Sequence, residues 1–347
     1  MVTGPSSTEP EPARDPRPSS PPRPSVALPA PPPLSIAERL AFRTILASLC
    51  LARRLPDGPI YRAAFALGAG LSVVMPARRR RVRRNLQRVC TWLVAADMAS
   101  PRVVAAARER RAMDRLVRAT FGHWLVTYAE AALAPRYSGP ELERRIVPSD
   151  PAASHEAMSA RPAGQVGIIH TAMHFGSVDL SALYGTRVGV LPVTGPMEVV
   201  ESPLARAYFD HVRRELGVTI VPLGDAAASL VAALERGEAV GVVADRNISG
   251  SGAKVELFGA PTRLPVGPAV LSVRTGAPIY LQAIERTRGG RWLGHTVPIR
   301  APSGAGRREA TRSIIEQEAR AFERIISRAP EQWTTLFYAI WSDEDEV

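Results

Sequence analysis

From about Gln165 the sequence alternates short runs of β-branched and other apolar residues with stretches of helical period, and this alternation restricts the fold more than any other feature. The runs VGIIH, RVGVLPV, VTIVPL and AVGVVAD are strand-length, and they are separated by segments such as SPLARAYFDHVRRELG and DAAASLVAALERGE, whose apolar residues recur at three- and four-residue steps. Consecutive strands joined through helices run parallel, because a crossover returns the chain to the same end of the sheet. The expectation is an α/β fold over residues 165–347, with a central, mostly parallel sheet flanked by helices. Two later runs, APIYLQAIERT and RWLGHTVPIR, read as extending or edge strands, and a charged helix is expected at about Arg307–Arg328, ahead of Pro330-Glu331-Gln332-Trp333.

Upstream the period is different. Residues 34–135 read as helical throughout, from SIAERLAFRTILASLCLARRL to RLVRATFGHWLVTYAEAALA, and form an N-terminal helical region expected to dock on a membrane. Between those stretches lies AAFALGAGLSVVM, an apolar run of 13 residues, whereas crossing a bilayer takes roughly 20. Residues 1–33 are dominated by Pro, Ser and charge and are expected to be a disordered tail, leaving 34–347 as one domain. No basic segment followed by an apolar run opens the chain, so no signal peptide is expected.

With 46% hydrophobic residues the chain can build a sizeable core, and a formal net charge of +11 implies an anionic partner. Arginine carries that charge, Lys254 being the only lysine; genomic base composition accounts for this, although arginine also suits phosphate. Seven arginines fall between Arg78 and Arg88, directly after the 13-residue apolar run. An apolar patch beside a basic cluster suits an anionic membrane surface, at roughly 1 kcal/mol per basic residue. The plainer reading is a solvated basic helix packed on the core through Val82, Leu86 and Val89. Nucleic acid is not the expected partner, because no aromatic residue interleaves with the arginines. Cys50 and Cys90 stand alone, with neither zinc spacing nor a disulfide framework, which suits a reduced, cytosolic setting.

The stretch IIHTAMHFGSVD, residues 168–179, contains the chemistry. His170 and His174 have the i, i+4 spacing of a helical metal pair, but Thr171 stands where a metalloprotease-type motif needs glutamate, and His170 ends a strand-like run. No metal site is expected. His174 and Asp179 are five apart, which on one continuous helix leaves the side chains about 140° apart. They can meet if His174 stands in a loop before the helix, Gly176 allows a tight turn, and Asp179 reaches back from the first helical turn. A carboxylate on one ring nitrogen then fixes the tautomer and leaves the other nitrogen as a base. Glu130, amid the apolar TYAEAAL, reads as a structural residue.

Further along come Ala244-Asp245-Arg246-Asn247, a glycine-rich segment, Phe258-Gly259, and Arg263 ahead of Pro265-Val266-Gly267-Pro268. With the basic run ending in Asn85-Leu86, the Glu130 helix, His174/Asp179, Pro330-Glu331-Gln332-Trp333 and Trp341, their order resembles one family from about Leu34 to Trp341. That family is the bacterial glycerolipid and glycolipid acyltransferases, which include the lipid A late acyltransferases and the phosphatidylinositol mannoside acyltransferases. The gap of thirteen from Asp245 to Phe258 looks more like the mannoside branch, whereas Ser177-Val178 and Asn247 depart from its usual pattern and bear on the acceptor.

The resemblance implies acyl transfer from a thioester, acyl-CoA or acyl carrier protein, to a hydroxyl of a membrane lipid or glycolipid, at the cytoplasmic face of the plasma membrane. It implies His174 as base, Asp179 as its orienting group, and Asp245 near acceptor hydroxyls or behind the histidine. Arg246 and Arg263 become candidates for substrate phosphates, and backbone N–H groups near Gly176 or Gly267 for the oxyanion. No G-x-S-x-G elbow is present, in keeping with direct transfer without an acyl-enzyme or any cofactor. The alternatives are a lysophospholipid or lipid A-type acceptor, a catalytically silent lipid-binding module, and a nucleic-acid binder using the arginine run.

Overall fold

Helices occupy the N-terminal part of the computed structural model, which describes residues 34–159, 164–189, 191–197, 202–248, 250, 252–287 and 289–342. The expected tail, residues 1–33, lies outside the described residues. In chain order come α1 (Ile36–Ala52), α2 (Asp57–Val74), α3 (Pro76–Ala95), α4 (Pro101–Arg108), α5 (Arg110–Leu133) and α6 (Gly139–Arg145). A capping box starts α1: the Ser35 hydroxyl accepts from the Glu38 N–H at 3.2 Å, and the Glu38 carboxylate accepts from the Ser35 N–H at 2.9 Å. Pro76 opens α3 at its first turn, where a missing N–H is harmless, and the chain bends by 103° between α2 and α3. No single helix among the described residues is long and apolar enough to cross a membrane. Gly68 of α2 packs on α5 so closely that a Cβ there would stand 2.3 Å from the Phe121 carbonyl oxygen.

After β1 (Ile146–Pro148) and α7 (Pro151–Met158) the α/β alternation begins: β2 (Ile168–Gly176), α8 (Val178–Arg187), β3 (Val193–Met197), α9 (Pro203–Glu215), β4 (Val218–Pro222), α10 (Ala226–Glu235), β5 (Ala239–Val243). A hairpin of β6 (Ala253–Leu257) and β7 (Ala260–Leu264) leads to α11 (Gly267–Thr275), β8 (Ile279–Arg286), β9 (Trp292–Ile299) and α12 (Arg307–Arg328). The seven-stranded sheet has the order β1-β9-β8-β2-β5-β3-β4, and every neighbouring pair is parallel except β8 with β9.

The expected mostly parallel sheet is therefore present. Neither of the two runs expected to extend or edge the sheet is an edge strand: β8 lies between β2 and β9, and β9 between β8 and β1. The hairpin lies where the sequence read as a glycine-rich loop, since its strands are short and only alternate residues are buried.

One core lies between the sheet and α3, α4, α5, α10, α11 and α12, and a second lies against α6 to α9. Residues of β2 serve both cores, Ile169 and Met173 the first and Ile168 the second, as the period of two requires. Towards its end β2 departs from this regularity. Ala172 pairs with Gln282 and Gly176 with Ile284, so four steps on β2 match two on β8, and the bulge lies around His174.

Candidate active site

The bulge turns His174 out of the cores, leaving its side chain 36% exposed at the end of the sheet where β2 and β5 finish. It is held in β2 rather than in a loop preceding α8, and its carboxylate partner comes from just past the end of the neighbouring strand, β5. Asp245, two residues beyond β5, accepts at Oδ1 from His174 Nδ1 at 2.7 Å and at Oδ2 from the His174 backbone N–H at 3.0 Å. Trp333 Nε1 and the Thr335 hydroxyl donate to the same Oδ2 at 2.8 and 2.6 Å. Burial pushes the Asp245 carboxyl up, but His174 and the donors from Thr335 and Trp333 outweigh it and hold the group below the ordinary carboxylate range. An ionised Asp245 requires the proton on Nδ1 of neutral His174, which leaves the Nε2 lone pair able to accept a proton.

A second buried assembly fixes the strand end that carries the histidine. Gly176 has φ +57°, and a Cβ there would stand 1.7 Å from the Ile284 carbonyl oxygen, so only glycine fits. Its carbonyl accepts from Arg286 Nη2 at 2.8 Å. Arg286 also donates to Glu130 at 2.8 Å and Thr127 at 2.7 Å, and Trp292 Nε1 donates to the other Glu130 oxygen at 3.0 Å. Glu130, 1% exposed, is thus a buried, paired structural residue. Gln332 clasps the backbone of Arg286, accepting from its N–H and donating to its carbonyl, each at 2.9 Å. From the opposite side Asn85 Nδ2 donates to the carbonyls of Leu336 and Tyr338, both at 3.0 Å, steadying the segment that carries Trp333 and Thr335.

Asp179 is not the orienting group in this geometry. It stands in the first turn of α8 and pairs with Arg213 of α9 at 3.4 Å, because β2 continues past His174 and directs the two side chains apart. Arg246, beside Asp245, stacks on Tyr338 at 3.8 Å from the ring centroid. Arg263 is exposed but donates to the Gly252 carbonyl at 2.7 Å, across the open end of the β6–β7 hairpin. Gly267 begins α11, and among the described residues no hydrogen bond joins it or Gly176 to the imidazole. His170 is buried within β2; its Nε2 donates to the Ala157 carbonyl at 2.9 Å, and desolvation lowers its pKa to about 4.

Sequence reasoning missed Thr335 and Arg286 and gave Trp333 no role. The signal for Trp333 was its place in Pro-Glu-Gln-Trp; Arg286 carried none beyond ending an apolar strand.

The bacterial lipid A biosynthesis acyltransferase family matches residues 34–339, covering both the helical region and the His174–Asp245 site. The chain belongs to that family. It is 29% identical over 124 residues to the phosphatidylinositol mannoside acyltransferase of Mycobacterium tuberculosis, a match covering 35% of this chain and 39% of the relative. With the phosphatidylinositol mannoside acyltransferase of Mycolicibacterium smegmatis it shares 28% identity over 171 residues, 48% of this chain and 55% of the relative. This family member thus spans about two fifths to just over half the length of those curated relatives.

Proposed function

We propose that the chain transfers a fatty acyl group from a thioester, acyl-CoA or acyl carrier protein, to a hydroxyl of a membrane glycolipid of the phosphatidylinositol mannoside class. His174 Nε2 takes the hydroxyl proton as the oxygen attacks the thioester carbonyl. The tetrahedral oxyanion then collapses, the C–S bond breaks, and the thiolate leaves with the proton from the imidazolium. Asp245 holds the tautomer and stabilises the imidazolium while it exists. Atoms and charge balance without a cofactor or metal. The observation that carries this reading is the 2.7 Å contact between His174 Nδ1 and a buried, fourfold-bonded Asp245, within a chain of an acyltransferase family.

The exposed apolar residues of α1 and α2, including Ile36, Leu40, Leu67 and Val74, support a peripheral station at the cytoplasmic face of an anionic membrane. The test supplies purified protein with a labelled acyl thioester and separate vesicles of phosphatidylinositol mannoside, lysophospholipid and lipid A-type acceptor, and identifies products by mass. Acylated mannoside and released thiol, both absent with His174→Ala, are expected. Acylation of lysophospholipid instead overturns the acceptor, and turnover by His174→Ala overturns the mechanism.

A further inference from the structure

A cleft of about 610 Å³ lies between α11, α12 and the start of β6, with Val270, Val273 and Ile315 among its apolar lining. Arg274, Arg307, Arg308 and Arg312 also line it, together with Lys254, against one carboxylate, Glu316. Arg312 faces that carboxylate at 3.9 Å, and the other four cations form no ion pair among the described residues. Helix stability accounts for Arg274, in the last turn of α11, but not for the pair that opens α12. Arg307 and Arg308 stand in the first turn of α12, where the helix dipole disfavours positive charge.

The arginines contributed by α12 lie far from His174. Gln317 of α12 is bonded in both directions to the backbone of Arg300, one residue beyond Ile299, which pairs with Ile279 at the end of the sheet where β2 begins. Arg307, Arg308 and Arg312 precede Gln317 and extend beyond that end, whereas His174 is at the other.

We propose that this cleft is a second binding site, for a single-chain anionic amphiphile: an alkyl tail on the valines and isoleucine, a carboxylate or phosphate head on the arginines. The volume fits one small molecule, and the excess of cations over one carboxylate sets the sign of its head. The site is separate from the acyl-transfer reading and stands without it.

Equilibrium dialysis of the purified full chain against dodecyl phosphate, below its aggregation concentration, tests it. Binding is expected to weaken at least tenfold in Arg308→Glu/Arg312→Glu and in Val273→Asp, and to persist within twofold in His174→Ala. Dodecanol and inorganic phosphate should each bind at least tenfold more weakly than dodecyl phosphate. Undiminished binding by the charge-reversal variant, or dodecanol binding as well as its phosphate, overturns the proposal. So does a parallel loss of that variant's flotation with phosphatidylglycerol vesicles, which assigns the arginines to a bilayer surface. Circular dichroism matching the parent chain confirms that the substituted proteins are folded.

Discussion

At the scale of single residues, two aspartates compete for the role of orienting His174, and the geometry separates them. Asp245 contacts the ring and Asp179 contacts Arg213. Asp245→Asn keeps the shape but removes the charge that stabilises an imidazolium and fixes the tautomer, so kcat should fall about 10²-fold or more, with a displaced pH–rate profile. Asp179→Asn should alter stability or KM while leaving the shape of that profile unchanged; the reverse pattern returns the orienting role to Asp179. The sign of the stability effect follows from the same contacts. A carboxylate held below its unfolded value, about 3.9, contributes stability that is complete above that value and lost as pH falls through the folded one. Acid unfolding followed by tryptophan fluorescence should therefore show a steeper loss below about pH 4 in the parent chain than in Asp245→Asn.

At the scale of elements, β2 explains what was legible in the sequence and what was not. Its apolar run, with those of β3 to β5, announced a parallel sheet, because buried strands need little more than β-branched residues flanked by helices. The bulge at His174 was not legible: a strand and a strand-then-loop have the same local sequence until β8 shows where pairing slips. The Asp245 partnership was legible only as one of two readings, acceptor contact or support behind the histidine, since spacing along the chain cannot place a carboxylate 71 residues away, just past the end of the adjacent strand. Helix α12 was read with its observed ends, yet its most consequential residue was not. Glu318 is buried on that helix, and desolvation raises its pKa to about 8, with the Thr171 hydroxyl offsetting little. A raised folded pKa means stability fully present below the unfolded value, about 4.3, and lost as pH rises through about 8. Glu318→Gln should leave Tm nearly unchanged at pH 4, raise it progressively above, and reach its full advantage by pH 9. Equal Tm differences at the two pH values count against a buried, proton-holding Glu318.

Across the whole molecule, apolar exposure and charge fall together on the helical region. Leu67, Val73 and Val74 of α2 are 62, 67 and 70% exposed. Monomeric surfaces rarely carry so many large apolar side chains on neighbouring turns without a partner. On α3 the arginine run divides its labour. Val82, Leu86 and Val89 pack inward as the plainer reading required; Arg79 and Arg83 pair with Asp114, Arg78 and Arg88 lie over Trp124 and Trp341, and Arg80, Arg81 and Arg84 are exposed. A bilayer would thus meet an apolar ridge on α2 beside four exposed cations on α3, Arg78 among them. Burying each of Leu67, Val73 and Val74 in the interface contributes roughly 1–2 kcal/mol, and each arginine about 1 kcal/mol at low salt. Leu67→Asp/Val74→Asp should therefore weaken flotation with phosphatidylglycerol vesicles by well over tenfold at every salt concentration. Arg80→Gln/Arg81→Gln/Arg84→Gln should do so at low salt and lose its effect towards 1 M, where the Debye length falls to about 3 Å. Flotation unchanged in both variants removes the membrane from the reading; loss confined to the arginine variant leaves an electrostatic contact without insertion.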